Sequence, residues 1–173
     1  MIALYIVGGI VFLILLLIAV APLDFNMERQ VSINKPKDVV FDYLKYLKNQ
    51  DNWSVWNMKD PNMKQELKGT DGTVGALNSL VSENKNVGRG AQEIMKITGS
   101  ERIDMELRFQ EPMEVVHQAY FILKSNSQNQ TQVSWGFKGK LKRPMNVIFP
   151  LMKGMLKKDF DGGLNNLKNI LEK

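Results

Sequence analysis

The chain has no cysteine and a single histidine, His117, among its 173 residues. Without thiols there is neither a disulfide framework nor a thiolate metal site, and zero cysteines fit either redox compartment. One imidazole, with no group of carboxylates at ligand spacing, leaves no metal site and no cofactor to be expected. A nucleophilic triad lacks its parts too, since there is no thiol and only one candidate imidazole base. Charge is also missing locally. No charged side chain precedes Asp24, and no acidic one lies between Lys138 and Lys158.

The first of these gaps is filled by an apolar run from Met1 to Ala21. As a helix rising about 1.5 Å per residue, such a run covers the ~30 Å hydrocarbon core of a bilayer with its backbone polar groups satisfied internally. The expectation is a single-pass anchor over residues 1–22 and one domain over 23–173. The competing reading is a cleaved secretory signal, because Ala19-Val20-Ala21 is a small-x-small site. Against it stand the missing basic n-region, an apolar core longer than the usual ~7–15 residues, and Pro22 just after the scissile bond. Arg29, Lys35 and Lys37 follow the run, and only the α-amino group precedes it, so the positive-inside rule places the domain on the cytoplasmic side by a narrow margin.

About 150 residues remain, enough for one domain with its own core. Pro22 to Asn26 reads as the tether. Glu28 to Ile33 alternates as a strand, and Lys35-Pro36-Lys37-Asp38 opens a helix whose apolar face is Val39, Val40, Tyr43, Leu44 and Leu47. From about Met63 the grammar becomes that of strands, punctuated by glycine. Ile103 to Phe109 shows a period of two, with apolar residues on one face and charges on the other. Val115 to Leu123 and Thr131 to Phe137 continue it, joined by a polar hairpin loop at Ser125 to Gln130. After Pro144 the period changes. Met152, Met155, Leu156, Phe160, Leu164, Leu167 and Leu171 recur at three and four, the stripe of a long terminal amphipathic helix. The sum is an α+β domain with about six consecutive antiparallel strands between a first strand and the terminal helix.

This order, with Trp53-Ser-Val-Trp56 after the first helix, Gly69 to Ala76, Val87-Gly88-Arg89-Gly90, Phe109-Gln-Glu-Pro112, Thr131-Gln-Val-Ser-Trp135 and Gly163-Leu164-Asn-Asn-Leu167-Lys168, resembles the SRPBCC (START-like, helix-grip) superfamily. Within it the likeness is to the polyketide cyclase or dehydrase-like branch, over roughly residues 25 to 172. Leu80 departs from the pattern, since relatives often carry an aromatic there. The resemblance implies a curved antiparallel sheet of about seven strands around the terminal helix, with an apolar cavity between them for a lipid, polyketide or other hydrophobic ligand. On that reading Met105, Leu107, Phe109, Phe121, Val133, Trp135 and Phe137 line the sheet side, and Met152, Met155, Leu156 and Phe160 the helix side.

Two residues are candidates for proton transfer. His117 alternates with Val115, Ala119 and Phe121 and so points inward, and Glu93 is placed on the face of Met95 and Ile97. Asp104 and Glu106 oppose the apolar face of their strand and read as solvated. The acid-free stretch Lys138 to Lys158 carries Lys138, Lys140, Lys142, Arg143, Lys153, Lys157 and Lys158 interleaved with Met145, Val147, Ile148, Phe149, Leu151 and Met152. Cationic and apolar side chains in one segment fit contact with anionic headgroups through Lys142, Arg143, Lys157 and Lys158. They do not form the aromatic stacking platform of a nucleic-acid surface. Three functions stay open: a non-catalytic carrier or sensor of a hydrophobic molecule, a cyclase or dehydratase-like enzyme, and a protein-binding module using Trp53 and Trp56.

Overall fold

The computed structural model describes residues 1–84, 87–111 and 114–173, so Pro112 of the Phe109–Pro112 segment lies outside the described residues. The elements run α1 (Ile2–Val20), β1 (Asp24–Ile33), α2 (Lys37–Leu44), a 3₁₀ turn at Leu47–Asn49, α3 (Gln50–Trp53), α4 (Val55–Met58), β2 (Lys64–Lys68), β3 (Leu77–Val81), β4 (Arg89–Thr98), β5 (Arg102–Glu111), β6 (Val115–Ser127), β7 (Gln130–Lys140) and α5 (Met145–Leu171). The strands form one antiparallel sheet of seven in the order β1-β7-β6-β5-β4-β3-β2. Consecutive strands are neighbours, as short hairpin connections require, and only β1 crosses over to pair with β7. β1 begins four residues earlier than the alternation implied, so Asp24 to Asn26 belong to the sheet, opposite Lys140 to Lys138, and the tether shrinks to Ala21–Leu23.

One face of the sheet carries the core. Ile33, Ile94, Ile103, Met105, Phe121, Leu123 and Val133 meet Leu164 and Leu167 of α5 and Val40, Leu44, Leu47 and Trp53 of the helical segment between β1 and β2. Trp53 is fully buried, edge-on to Phe121 at 5.9 Å and to Trp135 at 5.1 Å between ring centroids. Gly163 makes this possible: a Cβ there would meet the Trp135 ring at 3.1 Å and the Trp53 carbonyl oxygen at 3.5 Å. The glycine in α5 therefore marks close packing on the sheet, despite its ~1 kcal/mol cost in helix propensity. Asp71 fixes the 3₁₀ turn from outside, its carboxylate accepting from the backbone N–H of Leu47 at 2.7 Å and of Lys48 at 3.2 Å.

The opposite face is a lattice of ion pairs. Arg102 pairs with Asp104, and Arg108 with Glu106 and Glu93. Such exposed pairs contribute roughly 0–1 kcal/mol each, so they pattern the surface more than they hold the fold.

α1 is long and apolar enough to cross a membrane, and none of it is buried in the domain. Its C-terminal end is nonetheless tied down. The Arg143 guanidinium donates from Nε to the Ile18 carbonyl at 3.0 Å and from Nη2 to the Ala19 carbonyl at 2.9 Å. The Asn146 amide donates to the Ile18 and Ala21 carbonyls at 2.9 and 3.1 Å. These are the carbonyls a helix end leaves without partners, and a cation is favoured there by the helix dipole. Immediately beyond, the Leu141 N–H donates to the Leu23 carbonyl at 2.7 Å.

Candidate functional site

Between the sheet and α5 lies a cavity of about 140 Å³. Its sheet wall is Leu80 of β3, Gln92 of β4, Leu107 and Phe109 of β5, Ala119 of β6, and Trp135 and Phe137 of β7. Leu156, Asp159 and Phe160 close it from α5, and Gln50, Ser54, Trp56 and Asn57 from the α3–α4 segment. The walls follow from period two in the strands and from three-four spacing in α5. Phe160 stacks on Trp135 with 4.0 Å between ring centroids, which sets the floor. Gly90 at the rim permits a close backbone approach, since a Cβ there would lie 2.6 Å from the Arg108 carbonyl oxygen.

The expected lining residues divide into three groups. Leu107, Phe109, Trp135, Phe137, Leu156 and Phe160 do line the cavity. Met105, Phe121 and Val133 face the same way but are consumed by the solid part of the core, next to Ile103, Leu123 and Trp53. Met152 and Met155 are corrections. They lie on an exposed part of α5, because the apolar stripe is continuous in sequence yet reaches the cavity only from Leu156 onward. Leu80, the departure from the family pattern, sits in the cavity wall. Of the two tryptophans offered as a partner surface, Trp53 is core and Trp56 lines the cavity, with the Lys59 ammonium 4.6 Å from its ring centre.

Glu93 is a second correction. It lies on the ion-paired outer face, hydrogen-bonded to Arg108, and not inward with Ile97. The reason is an irregularity in pairing between Ile94 and Lys96, which shifts the alternation so that Ile94 and Ile97 both reach the core while Glu93 and Met95 point out. A single extra residue reverses every later side chain, and nothing in Gln92 to Ile97 announces it.

His117 points inward, as alternation requires, but it does not touch the cavity. Its ring is 8% exposed and enclosed by Phe25, Phe109 and Phe137 at centroid distances of 5.0, 5.9 and 5.3 Å. Nδ1 lies against the Gly139 backbone without a hydrogen-bond partner. Burial pushes the imidazole below its usual range, partly offset by a hydrogen bond with the Val116 backbone, so the ring is neutral at pH 7. Unfolding releases it to its ordinary value of 6.5. The unfolded chain then binds the extra proton as pH falls below 6.5, and stability contributed by the neutral ring is lost toward its depressed folded value. Denaturation of the full chain between about pH 7 and pH 5 should therefore show a slope of up to ~1.4 kcal/mol per pH unit that the His117→Phe variant lacks. Equal slopes in both chains would show that the imidazole is not buried neutral.

Of the proposed headgroup contacts, Lys157 and Lys158 are exposed and make no ion pair among the described residues. Lys142 donates to the Glu114 carbonyl at 2.7 Å, and Arg143 is spent on the end of α1. No group of carboxylates and His117 forms a metal site among the described residues.

No protein-family model and no curated protein matches this sequence. Solved structures do. The Zhui aromatase/cyclase from Streptomyces sp. R1128 superposes with a TM-score of 0.64 at 13% identity, covering 86% of this chain and 94% of its own. The fold is the helix-grip fold. The Mll3558 protein from Rhizobium loti shares it with a TM-score of 0.63 at 14% identity, over 84% of this chain and 96% of that one. So does the Aha1 dimer from Colwellia psychrerythraea, at 0.59 and 15%, over 86% and 96%. One fold hosts many activities, so the shared fold does not by itself set the function.

Proposed function

We propose that this helix-grip protein is held at a membrane by α1 and binds a hydrophobic small molecule, or the apolar part of a lipid, as a non-catalytic carrier or sensor. The observation that carries the reading is the apolar cavity between sheet and α5. Its volume of about 140 Å³ bounds the occupant. An engineered cavity of ~150 Å³ in another protein takes up benzene, whereas sites for drug-sized ligands span ~300–1,000 Å³. The occupant, or the part of it held inside, is one ring or a short branched chain.

The likeness to an aromatase/cyclase makes catalysis the second reading. Chemistry at a carbonyl needs a free acid or base facing the substrate. The charged residues at the wall among the described residues are all engaged: Asp159 with Lys59, Arg89 with Glu111, and Arg108 with Glu93 and Glu106. His117 is walled off by phenylalanines. Binding without turnover is the reading these residues support.

The membrane side of the proposal rests on the first half of α5. Ile148, Leu151, Met152 and Met155 are exposed there, at the three-four spacing of one helical face, with Lys153, Lys157 and Lys158 also exposed on the same stretch. An apolar stripe flanked by lysines, starting where α1 ends, fits a helix lying in the headgroup region of an anionic leaflet. The cytoplasmic orientation expected from the charges after α1 would present it to such lipids.

The cavity is tested by native mass spectrometry of the full chain, isolated in mild detergent, beside Leu80→Trp, which fills the wall. A defined extra mass that withstands detergent exchange in the parent chain and disappears in Leu80→Trp is expected. Identical bound masses in both chains, or none after exposure to a panel of small apolar compounds, would sink the ligand-binding reading.

A further inference from the structure

The cavity is not uniformly apolar. Gln50 and Ser54, one helical turn apart at the two ends of α3, both line it. They are 7% and 3% exposed, among the few buried polar residues of the chain. Neither the Gln50 amide nor the Ser54 hydroxyl is hydrogen-bonded to any described residue; only their backbone groups are, the Ser54 N–H donating to the Gln50 carbonyl at 2.8 Å. Ser54 precedes α4 yet does not cap it with its side chain. Buried polar groups are nearly always hydrogen-bonded. Among the described residues the sealed side-chain atoms without a partner are Trp53 Nε1, His117 Nδ1 and Asn146 Oδ1, so the Gln50 amide and the Ser54 hydroxyl open on the cavity, where an occupant can hydrogen-bond them.

We propose that Gln50 and Ser54 form the polar end of the cavity and select ligands carrying a neutral hydrogen-bonding group, a carbonyl or hydroxyl, on a small apolar body. The chemistry of the wall sets the class. An amide and a hydroxyl each donate and accept, so they serve ketone, ester or alcohol oxygens alike. A carboxylate would enter desolvated and need a free cation, but among the described residues Arg89 and Arg108 are already paired with carboxylates, and Lys59 with Asp159. The other amide side chains at the wall have partners, Gln92 donating to the Met105 sulfur and Asn57 to Asp51, and the indole N–H groups of Trp56 and Trp135 can only donate. Trp53, between the two, turns to the core, which leaves Gln50 and Ser54 as the α3 edge that faces the cavity.

The inference rests on the cavity being a ligand site, as proposed above, and its test separates the two. Fluorine NMR on the full chain in one detergent measures saturable binding of para-fluoroacetophenone, para-fluoroethylbenzene and para-fluorobenzoate. The chains compared are the parent, Ser54→Ala, Ser54→Thr, the double variant Gln50→Leu with Ser54→Ala, and Leu80→Trp. Partition into micelles is common to all the chains, so ratios between them report the cavity. In the parent chain the ketone should bind about tenfold more tightly than the hydrocarbon, with the benzoate weakest. Ser54→Thr should keep that preference, Ser54→Ala should reduce it several-fold, and the double variant should abolish it while still binding the hydrocarbon. A hydrocarbon that binds the parent as well as the ketone, a preference that survives in the double variant, or a benzoate that binds best would overturn the assignment and leave the cavity reading standing. No saturable binding of any probe, in the parent as in Leu80→Trp, would overturn both.

Discussion

Replacing Trp53 by alanine should lower the unfolding free energy by about 3–5 kcal/mol, the usual cost of deleting a buried aromatic. The indole is fully buried where three parts of the chain converge: the α3–α4 segment, the sheet through Phe121 and Trp135, and α5 through Gly163. Its Nε1 has no hydrogen-bond partner among the described residues, so the stabilisation comes from packing. Domains of this size hold roughly 5–15 kcal/mol in all, and such a loss brings the chain near its unfolding threshold. Denaturant titration of the full chain followed by circular dichroism measures it, with Trp56→Ala as the half-buried comparison expected to cost much less. A loss below about 1 kcal/mol for Trp53→Ala would mean that the two aromatic walls are not joined through this residue.

A fluorophore at position 151 should report from inside the lipid. Leu151 is 83% exposed in the domain, beside Ile148, Met152 and Met155 on the outer face of α5. If that face lies in the headgroup and acyl boundary, its apolar side chains sit about 5–10 Å deep. The absence of cysteine makes the experiment clean, because a Leu151→Cys chain takes a single bimane label. In nanodiscs containing anionic lipid its emission should shift to the blue and be quenched several-fold by brominated acyl chains. Val39→Cys on α2, exposed beyond the far end of β1, should show neither change. Matching emission at the two positions would remove the bilayer as the partner of this face.

Long periodic segments make the architecture readable in the sequence. β5 alternates without a break over Ile103 to Phe109, and the change to three-four spacing after Pro144 marks α5. What the pattern lacks is any sign of where an element stops serving one surface and begins serving another. Met152 and Met155 belong to the same stripe as Leu156 and Phe160, and only the reach of the sheet separates them. Glu93 was misplaced by a local irregularity in β4 pairing, a tertiary event with no residue signature. Gln50 and Ser54 carry no periodic signal, because α3 and α4 are each four residues long, too short to assign a face. The stretch Trp53-Ser-Val-Trp56 holds the available signal, a serine set between two tryptophans. Arg143 read as a headgroup contact from its cationic surroundings, whereas its partners, Ile18 and Ala19, lie at the other end of the chain.

The bonds from Arg143 and Asn146 to the end of α1 also change the statistics of encounter. A domain on a loose leash explores a hemisphere of orientations, and most collisions with a molecule arriving along the membrane find the wrong side. Here three residues, each reaching at most ~3.6 Å, separate α1 from β1, and the first turn of α5 is fastened to the helix end. On the reading proposed above, with α1 upright in a bilayer, swivelling would be removed. The search for a membrane-dissolved molecule would then be a planar one, timed by lateral diffusion and met by the same flank of the protein at every collision.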